Sequence, residues 1–145
     1  MVNYKGAKMK KCLFCGEVKR MLENDLAFVM MDDFAISKGH CEIITKRHIA
    51  TFFDTTTEER IAIFELVDKM KKVLDQKYKP DGYNIGMNCG EAAGQSVMHL
   101  HVHLIPRYTG DVANPRGGVR GIIPAKQNYI GQFDIPGSLN FFEIK

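Results

Sequence analysis

Apolar residues recur along the chain with two spacings, one typical of strands and one of a helix. Apolar runs of strand length occupy residues 26–31 and 41–45, and two more strands are predicted over 83–88 and 99–106. Over about residues 58–78 the apolar positions return every three or four residues, which indicates an amphipathic helix. The predicted order is therefore strand, strand, long helix, strand, strand.

The ends of the long helix carry their own signals. Thr55 and Thr56 each stand three residues before a glutamate, so either of them can form a capping box at the start. Pro-Asp-Gly at 80–82 ends the helix. A shorter helix is predicted within 12–23, after the two cysteines.

Short connections between most neighbouring elements favour an α+β fold over repeated βαβ crossovers. We expect an antiparallel sheet of about five strands, covered by the long helix and the short N-terminal helix. Residues 1–11 are predicted to be a loosely ordered leader and 12–110 the main domain. Residues 111–145 are predicted to be a C-terminal extension packed on that domain, beginning with a basic, glycine-rich loop.

Composition narrows the class of protein. The chain has 145 residues, of which 45% are hydrophobic and 26% charged, as expected for one compact domain. Its net charge of +3 comes from scattered basic residues, so we expect no nucleic-acid partner. No apolar run approaches the ~18 residues of a membrane helix, and the first residues lack the apolar core of a signal peptide. We therefore expect a cytoplasmic protein without a membrane partner.

The strongest chemical signal is a row of alternating histidines. His99, His101 and His103 alternate with leucine and valine, so on a strand their rings project from one face while the apolar side chains face the core. A lone histidine is more often a hydrogen-bonded structural residue. Three titratable rings in register gain little in packing and repel one another when protonated, so a functional site is favoured.

The residues just before this row suit an anionic ligand. Gly90 and Gly94 permit close backbone approach, while Asn88, Gln95 and Ser96 offer neutral hydrogen-bonding groups. The glycines alone are a weak signal, because they match neither a P-loop nor a dinucleotide fingerprint. Beside the histidine row, they predict a site for phosphate oxygens.

The segment AGQSVMHLHVHLIPR at 93–107 resembles the signature of the histidine triad, or HIT, superfamily of nucleotide hydrolases and transferases. The similarity extends to LAFVMMDDFAISKGHCEIITKRHI at 26–49 and to GYNIGMNCG before the triad, and covers roughly residues 12–108. The resemblance implies a HIT-like fold and an enzyme that cleaves a nucleotide at its α-phosphate. It also implies a homodimer formed through the long helix and the adjoining sheet.

The resemblance assigns roles to individual residues. It implies that His101 is the nucleophile that forms a nucleotidyl-histidine intermediate, with His103 and His40 completing the catalytic cluster. The implied nucleotide-binding residues are Asp32, Phe28, Asn88, Gln95, Ser96 and His103. Asp32 would bind the ribose, although Asp33 is an alternative at this turn. Because an imidazole attacks through one nitrogen only if the other holds the proton, we expect a backbone carbonyl to fix the tautomer of His101.

Cys12 and Cys15 form a Cys-x-x-Cys pair. Three interpretations of this pair are open: two buried small residues, a redox pair, or half of a metal site. The redox pair is less favoured because there is no βαβ context. The resemblance favours the metal site, since some family members bind structural zinc through such a pair and two histidines. The implied ligands are Cys12, Cys15, His48 and His99. No organic cofactor is expected.

Four functions remain to be separated. The favoured one is hydrolysis of dinucleoside polyphosphates, in the manner of the Fhit-like branch. The alternative within the family is a Hint-type purine nucleoside phosphoramidase, and outside it a nucleotide-binding regulatory protein with little turnover or a metal carrier that uses the histidine row. Arg116 and Arg120 lie in a loop that contacts a polyphosphate, forms a dimer arm or is simply solvated.

Overall fold

The computed structural model describes residues 12–128. Its five strands form one sheet in the order β1-β2-β3-β5-β4, and every neighbouring pair is antiparallel. The strands are β1 (Leu22–Glu23), β2 (Ala27–Met31), β3 (Cys41–Thr45), β4 (Gly82–Gly86) and β5 (His101–Arg107). The one α-helix among residues 12–128, α1, is Thr57–Tyr78 and follows β3. The predicted α+β class is confirmed.

Two details at the N-terminal side differ from the prediction. The helix expected over 12–23 is only a 3-10 turn, Leu13–Cys15, because the chain after Gly16 runs on to pair with β2. That pairing makes β1 the fifth strand of the sheet, and its two residues are too few to show a periodic pattern. The residues 1–11 predicted as a leader lie outside the described part of the chain.

The main core lies between the sheet and α1. Side chains from β2, β3 and β5 meet one face of the helix, and most are fully buried. These core residues include Val29, Ile43, Ile63, Leu66, Met70, Leu100, Val102 and Leu104. A smaller cluster of Phe14, Phe28, Met30 and Ile44 covers part of the opposite face. The sheet therefore has an inner face under α1 and an outer face, which carries the histidines.

The start of α1 is set by a capping box and a tertiary ion pair. Thr56 accepts a hydrogen bond from the backbone N–H of Glu59, whose carboxylate accepts one from the backbone of Thr56. Arg47, which follows β3, donates two more bonds of 2.8 Å to the same carboxylate. The helix is thereby tied to the sheet, and its cap is Thr56 rather than Thr55.

The described residues form two compact units, with the boundary between Thr109 and Gly110. The first contains the sheet, α1 and the histidines. In the described part of the second, the chain forms 3-10 turns at Gly118–Ile122 and Pro124–Lys126, and Arg116 and Arg120 lie in this unit. Within residues 12–128, no helix is both long and apolar enough to span a membrane.

Candidate active site

The outer face of β3 and β5 brings the histidines together. In the antiparallel register, His103 lies opposite Glu42 and His101 opposite Ile44. The rings of His101 and His103 are 5.1 Å apart, while the intervening Val102 points into the core. β5 begins at His101, so His99 lies two residues before the strand rather than within it.

His101 is held in one tautomer by the backbone. Its Nδ1 lies 2.7 Å from the carbonyl oxygen of His99. A carbonyl oxygen only accepts, so this bond places the ring proton on Nδ1 and leaves the Nε2 lone pair free. The ring of Phe14 packs edge-on against His101 at 5.3 Å and restricts its rotation. This is the carbonyl partner expected from the sequence.

A second hydrogen-bond chain orients His103. The backbone N–H of Ile36 donates to Nδ1 of His40, so a neutral His40 carries its proton on Nε2. That Nε2 is 3.0 Å from Nδ1 of His103 and donates to it. His103 then carries its own proton on Nε2. The chain from Ile36 therefore makes His103 a neutral N–H donor beside His101.

Acidic groups lie behind these two histidines. Asp32 accepts a 2.7 Å bond from the backbone of Phe34, and its other oxygen is 3.4 Å from Nε2 of His40. Asp33 is exposed, so the structure places Asp32 and not Asp33 at the site. Burial, with the nearby rings of His101 and His40, lowers the pKa of His103 to about 4. His103 is therefore neutral at pH 7.

Glu42 was not anticipated from the sequence. Its side chain is on the same outer face as His103, and one carboxyl oxygen is 3.7 Å from Nδ1 of that ring. Burial and the neighbouring carboxyl of Asp32 raise the pKa of Glu42 to about 7. One signal in the sequence could have indicated it: Glu42 is the only charged residue in the strand CEIIT, whose other residues are apolar or small. The structure buries all five residues of that strand.

The loop before β5 is braced by Gln95. Its side-chain oxygen accepts from the backbone of Gly90 at 2.7 Å, and its amide donates to the carbonyls of Ala50 and Val97. The amide thus holds the loop, and its predicted contact with phosphate stays a prediction. Ser96 beside it is exposed, and Asn88 is half-buried just after β4.

Phe28 lies within the apolar cluster on the outer face. It is 1% exposed, and the guanidinium of Arg20 lies 4.5 Å from the centre of its ring. A nucleobase that contacts this ring would have to displace the exposed Arg20 side chain. The expected base contact at Phe28 stays a prediction.

A separate cluster of two cysteines and two histidines lies at the start of the histidine row. Nδ1 of His99 is 3.4 Å from Sγ of Cys12, 3.5 Å from Sγ of Cys15 and 3.2 Å from Nδ1 of His48. Nε2 of His99 donates to the carbonyl of Thr45 at 2.7 Å, which leaves Nδ1 with a lone pair. All four cysteines of the chain are free thiols.

These separations suit a tetrahedral metal ion. Tetrahedral zinc with bonds of about 2.0–2.3 Å keeps its ligand atoms roughly 3.3–3.8 Å apart. The four ligand atoms of this cluster lie within 4.8 Å of one another, and the separations of 3.2–3.5 Å between individual pairs fall close to that range. Two sulfurs and two imidazole nitrogens are also a donor set that zinc prefers. The residues therefore fit structural zinc.

Comparison with known proteins is consistent with this geometry. The HIT domain family model matches residues 17–110. The adenosine 5'-monophosphoramidase hnt1 of Schizosaccharomyces pombe is 34% identical over 102 residues, which are 66% of this chain and 74% of that protein. The AP-4-A phosphorylase of Mycobacterium tuberculosis is 31% identical over 59% of this chain and 45% of its own length.

A solved structure resembles the fold as well. A zinc-bound histidine triad family protein from Mycobacterium smegmatis superposes with a TM-score of 0.65 and 28% identity, covering 71% of this chain and 79% of that one. The bound zinc is a property of the M. smegmatis protein. Its presence in a relative of this similarity is compatible with the Cys12, Cys15, His48 and His99 cluster.

Proposed function

This chain belongs to the HIT family, and from that premise we propose that it is an enzyme that cleaves nucleotides at the α-phosphate through a covalent nucleotidyl-His101 intermediate. The observation that carries the proposal is the 2.7 Å bond from Nδ1 of His101 to the carbonyl of His99. It leaves the Nε2 lone pair as the nucleophile, so no base has to remove a proton before attack.

The reaction proceeds in two displacements. Nε2 of His101 forms a bond to the α-phosphorus, and the bond from phosphorus to the leaving group breaks with its electron pair. Water then attacks the same phosphorus and releases a proton to the solvent, the bond to Nε2 breaks with its electron pair returning to the nitrogen, and the nucleoside monophosphate leaves. His99 does not supply protons, because one of its nitrogens donates to Thr45 and the other faces the cysteines.

Charge on the transferring group is met by fixed donors. The chain from Ile36 through His40 supports Nε2–H of His103 as a donor to a phosphate oxygen. Ser96 and the backbone of 94–96, braced by Gln95, are proposed as further donors, with Asn88 supporting the same loop. We propose that Asp32 binds the ribose and that Phe28 lies on the base side.

The metal cluster has a structural role in this proposal. When bound, zinc would supply a cross-link between the N-terminal turn and the start of β5. We propose that it is held by Cys12, Cys15, His48 and His99. A homodimer is proposed too, because apolar side chains of α1 and β4 are exposed, among them Ile61, Phe64 and Ile85.

Dinucleoside polyphosphates are the favoured substrates, and the M. tuberculosis relative supports them by its name. Purine nucleoside phosphoramidates are the second candidate, supported by the S. pombe relative. The match to this chain spans 74% of that relative, compared with 45% of the M. tuberculosis relative. The two substrate classes differ in leaving group. A phosphate departs as an anion, whereas an amine has to gain a proton.

The test is intact-mass spectrometry of the protein after rapid mixing with diadenosine tetraphosphate or adenosine 5'-phosphoramidate, alongside steady-state kinetics on both. We expect a mass increase of one adenylyl group in the wild type and none in His101→Asn, which should still bind AMP. Full turnover by His101→Asn would contradict the proposal. Binding of AMP with neither an adduct nor turnover would instead favour a nucleotide-binding regulatory protein.

A further inference from the structure

Glu42 lies inside the site although no role has been assigned to it. It is 8% exposed and lies directly across from His103 in the β3–β5 register. Its carboxyl oxygen and ring nitrogens of His101 and His103 all lie within 4.8 Å of one another. A phosphate bound between these two histidines would therefore lie close to the Glu42 carboxyl.

The surroundings of Glu42 disfavour a second negative charge. The groups near it are the carboxyl of Asp32 on the turn after β2 and the imidazoles of His103 and His101 on β5, and the exposed Asp33 adds a weaker negative charge. His40, at the end of that turn, reaches the same cluster through His103. On β2 its neighbour is the apolar Met30.

Burial and the nearby carboxyl of Asp32 both raise the pKa of Glu42. The imidazoles do not offset the acids, because burial lowers the pKa of both His40 and His103. The site therefore holds two acids with no compensating positive charge from His40 or His103, which favours a neutral Glu42.

We propose that Glu42 binds the substrate phosphate as a neutral carboxylic acid, its O–H donating to a phosphate oxygen, so that nucleotide binding is coupled to retention of a proton at Glu42. This inference rests on the proposed nucleotide site. It adds a ligand-binding residue and a pH dependence that the histidines alone do not produce.

The direction of the coupling follows from charge. An ionised Glu42 would repel a phosphate a few ångströms away, whereas the protonated form donates a hydrogen bond to it. Burial and Asp32 raise the pKa of Glu42 to about 7, so the free protein loses this proton as the pH rises through neutrality. Bound phosphate favours the protonated form, and affinity therefore falls with rising pH, by up to about tenfold per pH unit.

The experiment is calorimetric titration of the full chain with AMP from pH 6 to 9. At pH 8 it is repeated in HEPES and in Tris, whose different ionisation enthalpies reveal the number of protons taken up. The variants are Glu42→Gln, a neutral donor of the same shape, and Glu42→Leu, which has no donor. Glu65→Gln, an exposed glutamate on α1, is the matched control.

We expect wild type and Glu65→Gln to take up close to one proton per AMP at pH 8. Glu42→Gln should take up far less and bind AMP about tenfold more tightly than wild type at that pH, while Glu42→Leu should bind weakly at every pH. Titration of the AMP phosphate itself is common to all variants and cancels in the comparison.

Equal proton uptake by Glu42→Gln and wild type would overturn the inference. The absence of proton uptake by wild type at pH 8 would also overturn it. This measurement uses only the wild-type protein, so it does not depend on the folding of a variant. If wild type binds no AMP at any pH, the proposed function fails together with it, whereas binding with unchanged proton uptake defeats only the role of Glu42.

Discussion

The carbonyl oxygen of His99 accepts a 2.7 Å hydrogen bond from Nδ1 of His101, while the ring of His99 belongs to the cysteine and histidine cluster. One residue thus contributes its side chain to the candidate metal centre and its backbone to the candidate nucleophile. Fixing the ring of His99 also fixes the peptide that selects the His101 tautomer.

Loss of a cysteine ligand should therefore affect both metal content and catalysis. We expect Cys12→Ser to purify with little zinc and to lose about tenfold or more in turnover, because the start of β5 is no longer cross-linked. Elemental analysis and kinetics on the same sample measure this. Cys89→Ser and His101→Asn should both retain zinc, and zinc loss in His101→Asn would instead indicate a metal carrier built on the histidine row.

Although the raised pKa of Glu42 acts in the opposite direction, mild acidification should reduce the stability contributed by His103. Its pKa is lowered to about 4 in the folded chain, against an ordinary value of about 6.5, so the unfolded chain binds more protons between these pH values. The free energy of unfolding should decrease by about 2 kcal/mol from this group between pH 7 and pH 5. Urea unfolding of wild type and His103→Gln at both pH values measures the difference. Equal pH slopes would contradict it.

The capping register at the start of α1 can be tested by replacing each of two adjacent glutamates with alanine. Glu59→Ala removes the carboxylate that accepts from Arg47 and from the backbone of Thr56, and should cost about 2 kcal/mol of unfolding free energy. Glu58→Ala, in the alternative capping register, should change stability by less than about 0.5 kcal/mol. Chemical denaturation compares the two. Equal losses would mean that the register is not decided by Arg47.

Gly39 supports the turn that positions His40. Its φ is 90°, and an added Cβ would lie 2.9 Å from a ring carbon of Tyr78. Gly39→Ala should therefore lower the free energy of unfolding by about 1–3 kcal/mol. Gly82→Ala, where nothing lies within 4 Å of the added atom, is the control in thermal unfolding. A neutral Gly39→Ala would show that this turn adapts.

Most of the fold followed from local pattern. The helix predicted over about 58–78 is Thr57–Tyr78, and the strand predicted over 41–45 is Cys41–Thr45. Such segments are long or apolar enough for their periodicity to reflect the face that becomes buried. β1 escaped detection because a two-residue strand exists only through its pairing with β2.

The candidate site divides in the same way. Alternation along 101–103 was sufficient to predict that His101 and His103 share a face, since that depends only on strand geometry, whereas His99 precedes the strand. It could not reveal Glu42, which becomes part of the site because β3 pairs with β5 in one particular register. Nor could it show that the Gln95 amide braces its own loop. That amide donates hydrogen bonds to the carbonyls of Ala50, 45 residues away in the chain, and of Val97, two residues away.

By itself, the sequence determined the fold class, the histidine row and the Cys-x-x-Cys pair, because these depend on residue type and on spacing along one element. The addition of His48 and His99 to that pair was implied by the family resemblance. Only the tertiary structure decided the tautomers of His101 and His103, the cap of α1 and the acidic pair of Asp32 and Glu42. Those features depend on which backbone and side-chain groups meet across different elements, and hydrogen bonds and charge interactions act over a few ångströms in space, whatever the separation in sequence.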